Sequence, residues 1–401
     1  MSFVLTLTNN SSNATIWSMY DVIVVGAGIG GAAAAYFLGR ADQQVLVLEK
    51  EPLPRYKACG GGVPKSVFRR FPFPFDEVVE SEIAVVRLSY SGRKEVAFPL
   101  PAKPVAMVMR DRFDTFVLSQ ARAEVRDSTT VVGVVEERDK VRVSTADGQE
   151  LAARYLLGAD GTNSVVARAL GLRQRKVLGA AIEAEVQVDG RTLAEYAQTA
   201  LFEFGAVPGG YLWIFPKKEH LSVGIAVFGK SRADLRGILR REMTRFGIEL
   251  DGTPLHAHPL PVHWYHEGLA TERTLLVGDA AGLVDPFLGE GIRYAVHSAR
   301  LAAEAIAKDE VKGYTPGVHQ EIGAGLRRAR WLARLFYGLP RLCFLLGVRN
   351  PRMVQIFTDM LDEQASYFDI SKHIPSVLLG ISSNTMPETD QRRGKVGGSS
   401  E

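Results

Sequence analysis

The chain has 401 residues, 46% of them hydrophobic and 23% charged, with a formal net charge of +3. That length admits two or three lobes around a sizeable core, and so small a charge excludes a nucleic-acid-binding footprint. Two cysteines, Cys59 and Cys343, exclude a disulfide framework and suit a reducing, cytoplasmic setting.

Residues 1–18 lack the basic start and sustained apolar core of a signal peptide, so they are expected to be a disordered extension or a misassigned start. Asp21 to Val25 then reads as a short buried parallel strand. Gly26, Gly28 and Gly31 follow as G-x-G-x-x-G and open an Ala-rich helix to Arg40. A second apolar run, Val45 to Leu48, ends in Glu49, 18 residues beyond Gly31. This is the dinucleotide-binding pattern. Gly26 permits the turn, Gly28 lets backbone amides reach a pyrophosphate at the positive helix end, and Gly31 lets helix and strand pack closely. Glu49 is placed for an adenosine ribose and disfavours a 2′-phosphate, which leaves FAD or NAD(H).

Lys57-Ala58-Cys59-Gly60-Gly61-Gly62-Val63-Pro64 reads as a loop whose backbone approaches something closely. Val85 to Tyr90 and Lys94 to Phe98 read as sheet-edge strands of a second lobe. Arg110 to Asp114 opens a helix to about Arg122. Val131 to Glu136 and Val141 to Thr145 pair as a hairpin, with Asp147-Gly148 as its turn. Tyr155 to Ala159 is another buried strand, closing in Asp160-Gly161. Val177 to Val188, Tyr211 to Phe215 and Leu221 to Phe228 continue a largely antiparallel sheet. Thr274 to Val277 ends in Gly278-Asp279, and a long amphipathic helix runs from Glu290 to about Lys308.

Helices with interleaved Arg and apolar residues occupy 318–370. The arginines at 326–352 fit either an anionic membrane surface or a helical lid, the second being slightly favoured. No apolar run reaches the roughly 18 uncharged residues of a spanning helix. The polar, Gly/Ser-rich tail from 387 to 401 reads as disordered. His256, His258, His263 and His266 lack metal-ligand spacing, so no metal site is expected; 263–266 read as a second site wall or a strand end.

Three motifs thus sit at strand ends, where ligands lie in open α/β sheets. Asp160 and Asp279 suit an extended dinucleotide, the second for ribityl hydroxyls, and Arg110 suits its phosphates. The helix beginning near Gly289 and Gly291 would face the pyrimidine edge of a flavin. Their combination favours FAD.

The segments GAGIGG with Glu49, KACGGGVP, Arg110 to Asp114, GADGTNS, GGYLWIFPKKEHLSVGI and VGDAAGLVDPFLGEGIRYA resemble the FAD-dependent fold typified by p-hydroxybenzoate hydroxylase. More narrowly, the Cys59 loop and the Tyr211-x-Trp213-x-Phe215 segment resemble the geranylgeranyl reductase family. The match covers most of 20–310. The resemblance implies an α/β protein: a Rossmann-like FAD domain from 19–85, 104–172 and 265–312, and an inserted, mostly antiparallel sheet domain from 86–103 and 173–264. A helical region from 313–386 completes it. It implies saturation of C=C bonds in a geranylgeranyl chain on a lipid, quinone or chlorophyll-type precursor. Tyr211, Trp213 and Phe215 alternate along one strand and would wall an apolar tunnel; Cys59 would be a proton donor or a residue packed near the flavin. No second G-x-G-x-x-G follows a strand, so electrons would come from NAD(P)H binding transiently or from ferredoxin. The rival readings are an aromatic monooxygenase on the same fold and a non-catalytic flavin carrier at membranes.

Overall fold

The computed structural model describes residues 19–378 apart from 93, 101, 176, 263–266 and 349. The segments 1–18 and 387–401 and the wall expected at 263–266 lie outside the described residues.

The first sheet runs Glu124–Arg126, Val45–Leu48, Tyr20–Val25, Glu150–Gly158, Val141–Thr145 and Val131–Glu136, with Thr274–Leu276 also paired to Glu150–Gly158. Its parallel strands are buried on both faces, which is why their sequences are continuous Val/Leu/Ile runs rather than alternating ones. Register is what gathers the motifs. Val25 lies opposite both Leu48 and Gly158, and Gly158 opposite Leu276, so four strands end level. The residues that follow, Glu49, Gly26, Asp160 and Asp279, therefore emerge along one edge. Helix Ile29–Arg40 packs near helix Ile292–Ala307, where a Cβ on Gly30 would stand 3.6 Å from that of Ala295.

The second sheet has the order His256–Leu260, Gly179–Val186, Leu221–Val227, Gly210–Pro216, Thr199–Phe204, Val85–Tyr90 and Lys94–Pro99. All pairs are antiparallel except Thr199–Phe204 with Val85–Tyr90. Alternation assigns its two faces. Leu212, Ile214, Val223 and Ile225 pack with Leu235, Leu239 and Met243 of helix Leu235–Arg245. Tyr211, Trp213, Phe215 and Ala226 face the other way. A small antiparallel sheet joins Gly62–Pro64 and Val79–Ile83 to Val105–Val108, on either side of Val85–Tyr90 and Lys94–Pro99 in sequence.

Several local expectations change. Only Lys94–Pro99 is an edge strand; Val85–Tyr90 is paired on both sides. Asp147-Gly148 turns the chain from Val141–Thr145 into Glu150–Gly158, not within the hairpin before it. That last strand is twice as long as its buried half suggested, because residues 150–154 alternate against Val141–Thr145. The amphipathic helix Leu235–Arg245 escaped the sequence reading although Leu235, Leu239 and Met243 carry its spacing. Helices Ala324–Gly338, Pro351–Leu361 and Tyr367–Leu378 pack through Ala329, Leu332, Ile356, Met360, Tyr367 and Ile370.

Candidate active site

The glycine turn is enforced by contact. Gly26 has φ +98°, and a Cβ there would stand 2.5 Å from the Ala159 carbonyl oxygen. A Cβ on Gly31 would stand 1.8 Å from Gly26 O. A Cβ on Gly28, by contrast, would meet only side chains, the Arg55 guanidinium at 3.2 Å and Asp114 Oδ2 at 4.0 Å, and Gly28 lines the cavity. Gly28 is also the N-cap of helix Ile29–Arg40, and no side chain caps it.

Glu49 is buried behind this turn. One carboxylate oxygen accepts the Ala27 amide at 2.7 Å and lies 3.2 Å from Arg55 Nε; the other accepts the Glu51 amide at 3.2 Å. Three of about four lone-pair sites are used, which leaves room for one ribose hydroxyl. Arg55 thus places a cation over Gly28. The sequence reading gave a phosphate-facing charge to Arg110, which lines the same cavity with its guanidinium held to Asp114 by two 2.8 Å bonds. The Arg-x-x-Phe-Asp spacing, one helical turn, contained the signal for that pairing.

Asp160 points away from the cavity. Its Oδ2 accepts from the amides of Val165 and Val166, capping helix Val165–Ala169 with Ser164, while Oδ1 is buried without a partner among the described residues. Burial raises its pKa. Its neighbours Ala159 and Gly161 line the cavity in its place.

Asp279 does face the cavity, with Oδ2 at 3.4 Å from Lys57 Nζ and 3.6 Å from His258 Nε2. Burial works against its charge, but the Lys57 ammonium and the His258 hydrogen bond hold the carboxyl well below the usual range. Arg173 fixes this corner by donating to Asp279 O at 2.8 Å. Asp285, fully buried, accepts from the amides of Phe287 and Leu288 and from Tyr367 Oη at 2.6 Å. These bonds shape the loop that delivers Gly289 and Gly291 to the cavity. Gly291 is the N-cap of helix Ile292–Ala307, again without a capping side chain.

The remaining wall is apolar. Tyr211, Trp213 and Phe215 line it with Ile83, Phe202 and Leu361. Tyr211 donates to Leu288 O at 2.5 Å, and burial raises its pKa. The triple-glycine loop closes on this wall: a Cβ on Gly60 would lie 2.9 Å from the Phe215 ring, and one on Gly61 2.1 Å from Val108 O. The close approach inferred from sequence is therefore to protein. Gly62 already belongs to a strand. Cys59 lines the cavity, its Sγ accepting the Gly61 amide at 3.4 Å.

Two uncapped helix N-termini and the Lys57 and Arg110 cations opening onto one cleft suit a ligand with a central pyrophosphate and an electron-accepting ring at one end. The donor set fits FAD. Residues 87–313 match the model of an FAD-binding domain, and 21–63 match that of FAD-dependent oxidoreductases. The protein is thus an FAD-dependent oxidoreductase with a fold of the p-hydroxybenzoate hydroxylase type.

Among its relatives is a menaquinone reductase of Mycobacterium tuberculosis, 31% identical over 341 residues, covering 79% of this chain and 83% of that protein. Another is digeranylgeranylglycerophospholipid reductase 2 of Methanothermobacter thermautotrophicus, 30% identical over 344 residues, with coverages of 80% and 88%. A crystal structure of a geranylgeranyl bacteriochlorophyll reductase-like protein from Thermoplasma acidophilum superposes with a TM-score of 0.71. It shares 22% identity and covers 91% of this chain and 96% of that one. The chain belongs to the geranylgeranyl reductase family of flavoproteins.

Proposed function

We propose that the protein saturates C=C bonds of a geranylgeranyl or other polyprenyl chain carried by a lipid, quinone or chlorophyll-type precursor. The observation that carries this reading is the aromatic strand face of Tyr211, Trp213 and Phe215, which meets the Cys59 loop in the same cavity as Gly28 and Asp279. An extended apolar chain gains about 0.8 kcal/mol per buried methylene in such a place, so a long tail is held by surface rather than by polar contacts. The names of the two relatives, both reductases, support it.

Reduced FAD supplies the hydride. Gly28, Arg55 and Glu49 would hold its adenosine end, and Asp279 with the Gly291 helix end its other end. Tyr211, Trp213 and Phe215 would orient the alkene and exclude water, and Cys59 and its glycine neighbours would seal the ring side. Electrons would arrive from NAD(P)H or a ferredoxin-type carrier.

No helix among the described residues is long and apolar enough to cross a membrane. Trp331, Leu339, Leu342, Leu345 and Phe368 are nonetheless exposed on the C-terminal helices. With the surrounding arginines they would rest on an anionic bilayer and give a lipidic substrate a short path to the cavity.

The deciding experiment is anaerobic incubation of dithionite-reduced protein with geranylgeranyl compounds of different headgroups, followed by mass spectrometry. Products heavier by successive pairs of hydrogens support the reading. Turnover only with oxygen, and only of phenols, would replace it with the aromatic monooxygenase.

A further inference from the structure

We propose that Glu183 is the acid that delivers the substrate proton in this reduction, and that Tyr56 relays the replacement proton from solvent. The inference rests on the prenyl-reduction reading. An isolated alkene accepts hydride at one carbon only if a proton reaches the other, so the cavity needs an acid that is protonated, faces the chain and can be recharged from water.

Most titratable groups on the cavity wall are committed elsewhere. Asp279 is bound to Lys57 and His258. Glu290 lies 2.7 Å from Arg293. Tyr211 spends its proton on Leu288 O and is sealed from solvent. Cys59 Sγ accepts the Gly61 amide at 3.4 Å, which leaves its S–H as the rival donor.

Glu183 differs on every count. It is 2% exposed, lines the cavity, and has no ion-pair partner within 4.0 Å among the described residues. Its strand places it opposite Gly224, and Gly224 lies opposite Trp213, so the three occupy one cross-strand row on one face. Gly224 has no side chain, and the Trp213 indole fills the space: a Cβ there would stand 2.1 Å from Trp213 Cζ2. The carboxyl and the indole are therefore brought to adjoining positions in the aromatic wall. Nothing in the local sequence marks this, because the row is made by three strands.

The connection to water is direct. The Tyr56 hydroxyl donates to Glu183 Oε1, while the Tyr56 residue is 42% exposed and its ring packs on His256 at 4.5 Å. The groups around Glu183 are Ser222, whose hydroxyl is 3.5 Å from Oε2, Glu185, which is paired to His220 at 2.9 Å, and Lys217. Lys217 Nζ is turned away, donating to Gly60 O at 2.9 Å and Val108 O at 2.8 Å. Burial, and then the charge of Glu185, push the Glu183 carboxyl up to about 7, so that a large share of it holds a proton at neutral pH and is still able to give it up.

In the balanced step the Glu183 O–H bond breaks and a C–H bond forms at one alkene carbon, while hydride from reduced FAD completes the other. The carboxylate then takes the Tyr56 proton as Tyr56 takes one from water, in a single concerted transfer, because burial and the Glu183 charge hold the Tyr56 hydroxyl well above its ordinary pKa. One proton comes from solvent and two electrons come with the hydride.

The test uses flavin-loaded Glu183→Gln, Tyr56→Phe and Cys59→Ser alongside the wild type. Infrared difference spectra across neutral pH should show a buried carboxyl that titrates near pH 7 in wild type and Cys59→Ser and is missing in Glu183→Gln. With a prenyl substrate under anaerobic conditions, Glu183→Gln should be slowed about 100-fold or more and Tyr56→Phe about tenfold, at unchanged flavin content. In wild type the rate should fall as pH rises through about 7. A wild-type rate in Glu183→Gln, or a carboxyl band that persists in it, overturns the proposal, whatever the turnover of Cys59→Ser. If the wild type itself reduces no prenyl compound, the reading beneath fails and takes the proton step with it.

Discussion

The indole of Trp213 occupies the space above Gly224 on the neighbouring strand, where a Cβ would lie 2.1 Å from Cζ2. One absent side chain therefore lets the largest residue of the aromatic wall lie against the sheet. Gly224→Ala should push the indole into the cavity at a cost of about 1–3 kcal/mol, read as a lower melting temperature. Trp213→Ala should open the cavity instead. Both should lower kcat/KM for long prenyl chains by about tenfold or more while bound-flavin absorbance stays at the wild-type level. Unchanged turnover in Trp213→Ala would remove that residue from the site.

The second and third glycines of the dinucleotide turn should fail in different ways. Gly31→Ala collides with backbone, the Gly26 carbonyl oxygen at 1.8 Å, so it should destabilise the first lobe itself. Gly28→Val meets side chains only, the mobile end of Arg55 at 3.2 Å and Asp114 Oδ2 at 4.0 Å. That variant should fold, by circular dichroism, and purify without FAD because the valine fills the pyrophosphate space. A yellow Gly28→Val protein would refute the placement of the cofactor.

Asp279→Asn removes the partner shared by Lys57 and His258. FAD should bind about tenfold to a hundredfold more weakly, measured by fluorescence titration of apoprotein. The carboxyl has a depressed folded-state pKa, so its contribution to stability is present above the ordinary value of 3.8 and is lost as pH falls below it. The variant should show a flatter loss of stability in acid.

Glu183 runs the other way. Its pKa rises from 4.5 to about 7 on folding, so the folded state holds this proton more tightly than the unfolded chain. The resulting stability is full below pH 4.5 and is lost as pH climbs to about 7, a swing of about 3 kcal/mol. Glu183→Gln should abolish that part of the pH dependence, as followed by urea unfolding at several pH values.

Contact with a bilayer is open to direct measurement. Replacing Trp331 and Leu339, about half exposed at 51% and 53%, by Ser should reduce co-sedimentation with vesicles containing anionic lipid several-fold and leave flavin content unchanged. Equal sedimentation of the variant would return these helices to the role of a lid.

How much of this the sequence carried depends on how far apart the cooperating residues stand in the chain. The turn at Gly26, Gly28 and Gly31 was readable because a strand, a tight turn and a helix are consecutive, and each glycine has a local steric reason. The aromatic face was readable because side-chain direction alternates along a single strand. By itself the sequence determined the flavin-type turn and the residues of Tyr211–Phe215 that share one face. Only the tertiary structure decided that Arg55 joins the Arg110–Asp114 pair near Gly28, that Asp160 serves a helix end, and that Asp279 holds Lys57 and His258. It alone set Glu183 beside Trp213. Those relationships join side chains across strands and loops far apart in sequence, and their partners are chosen by sheet register and burial, which no local pattern records.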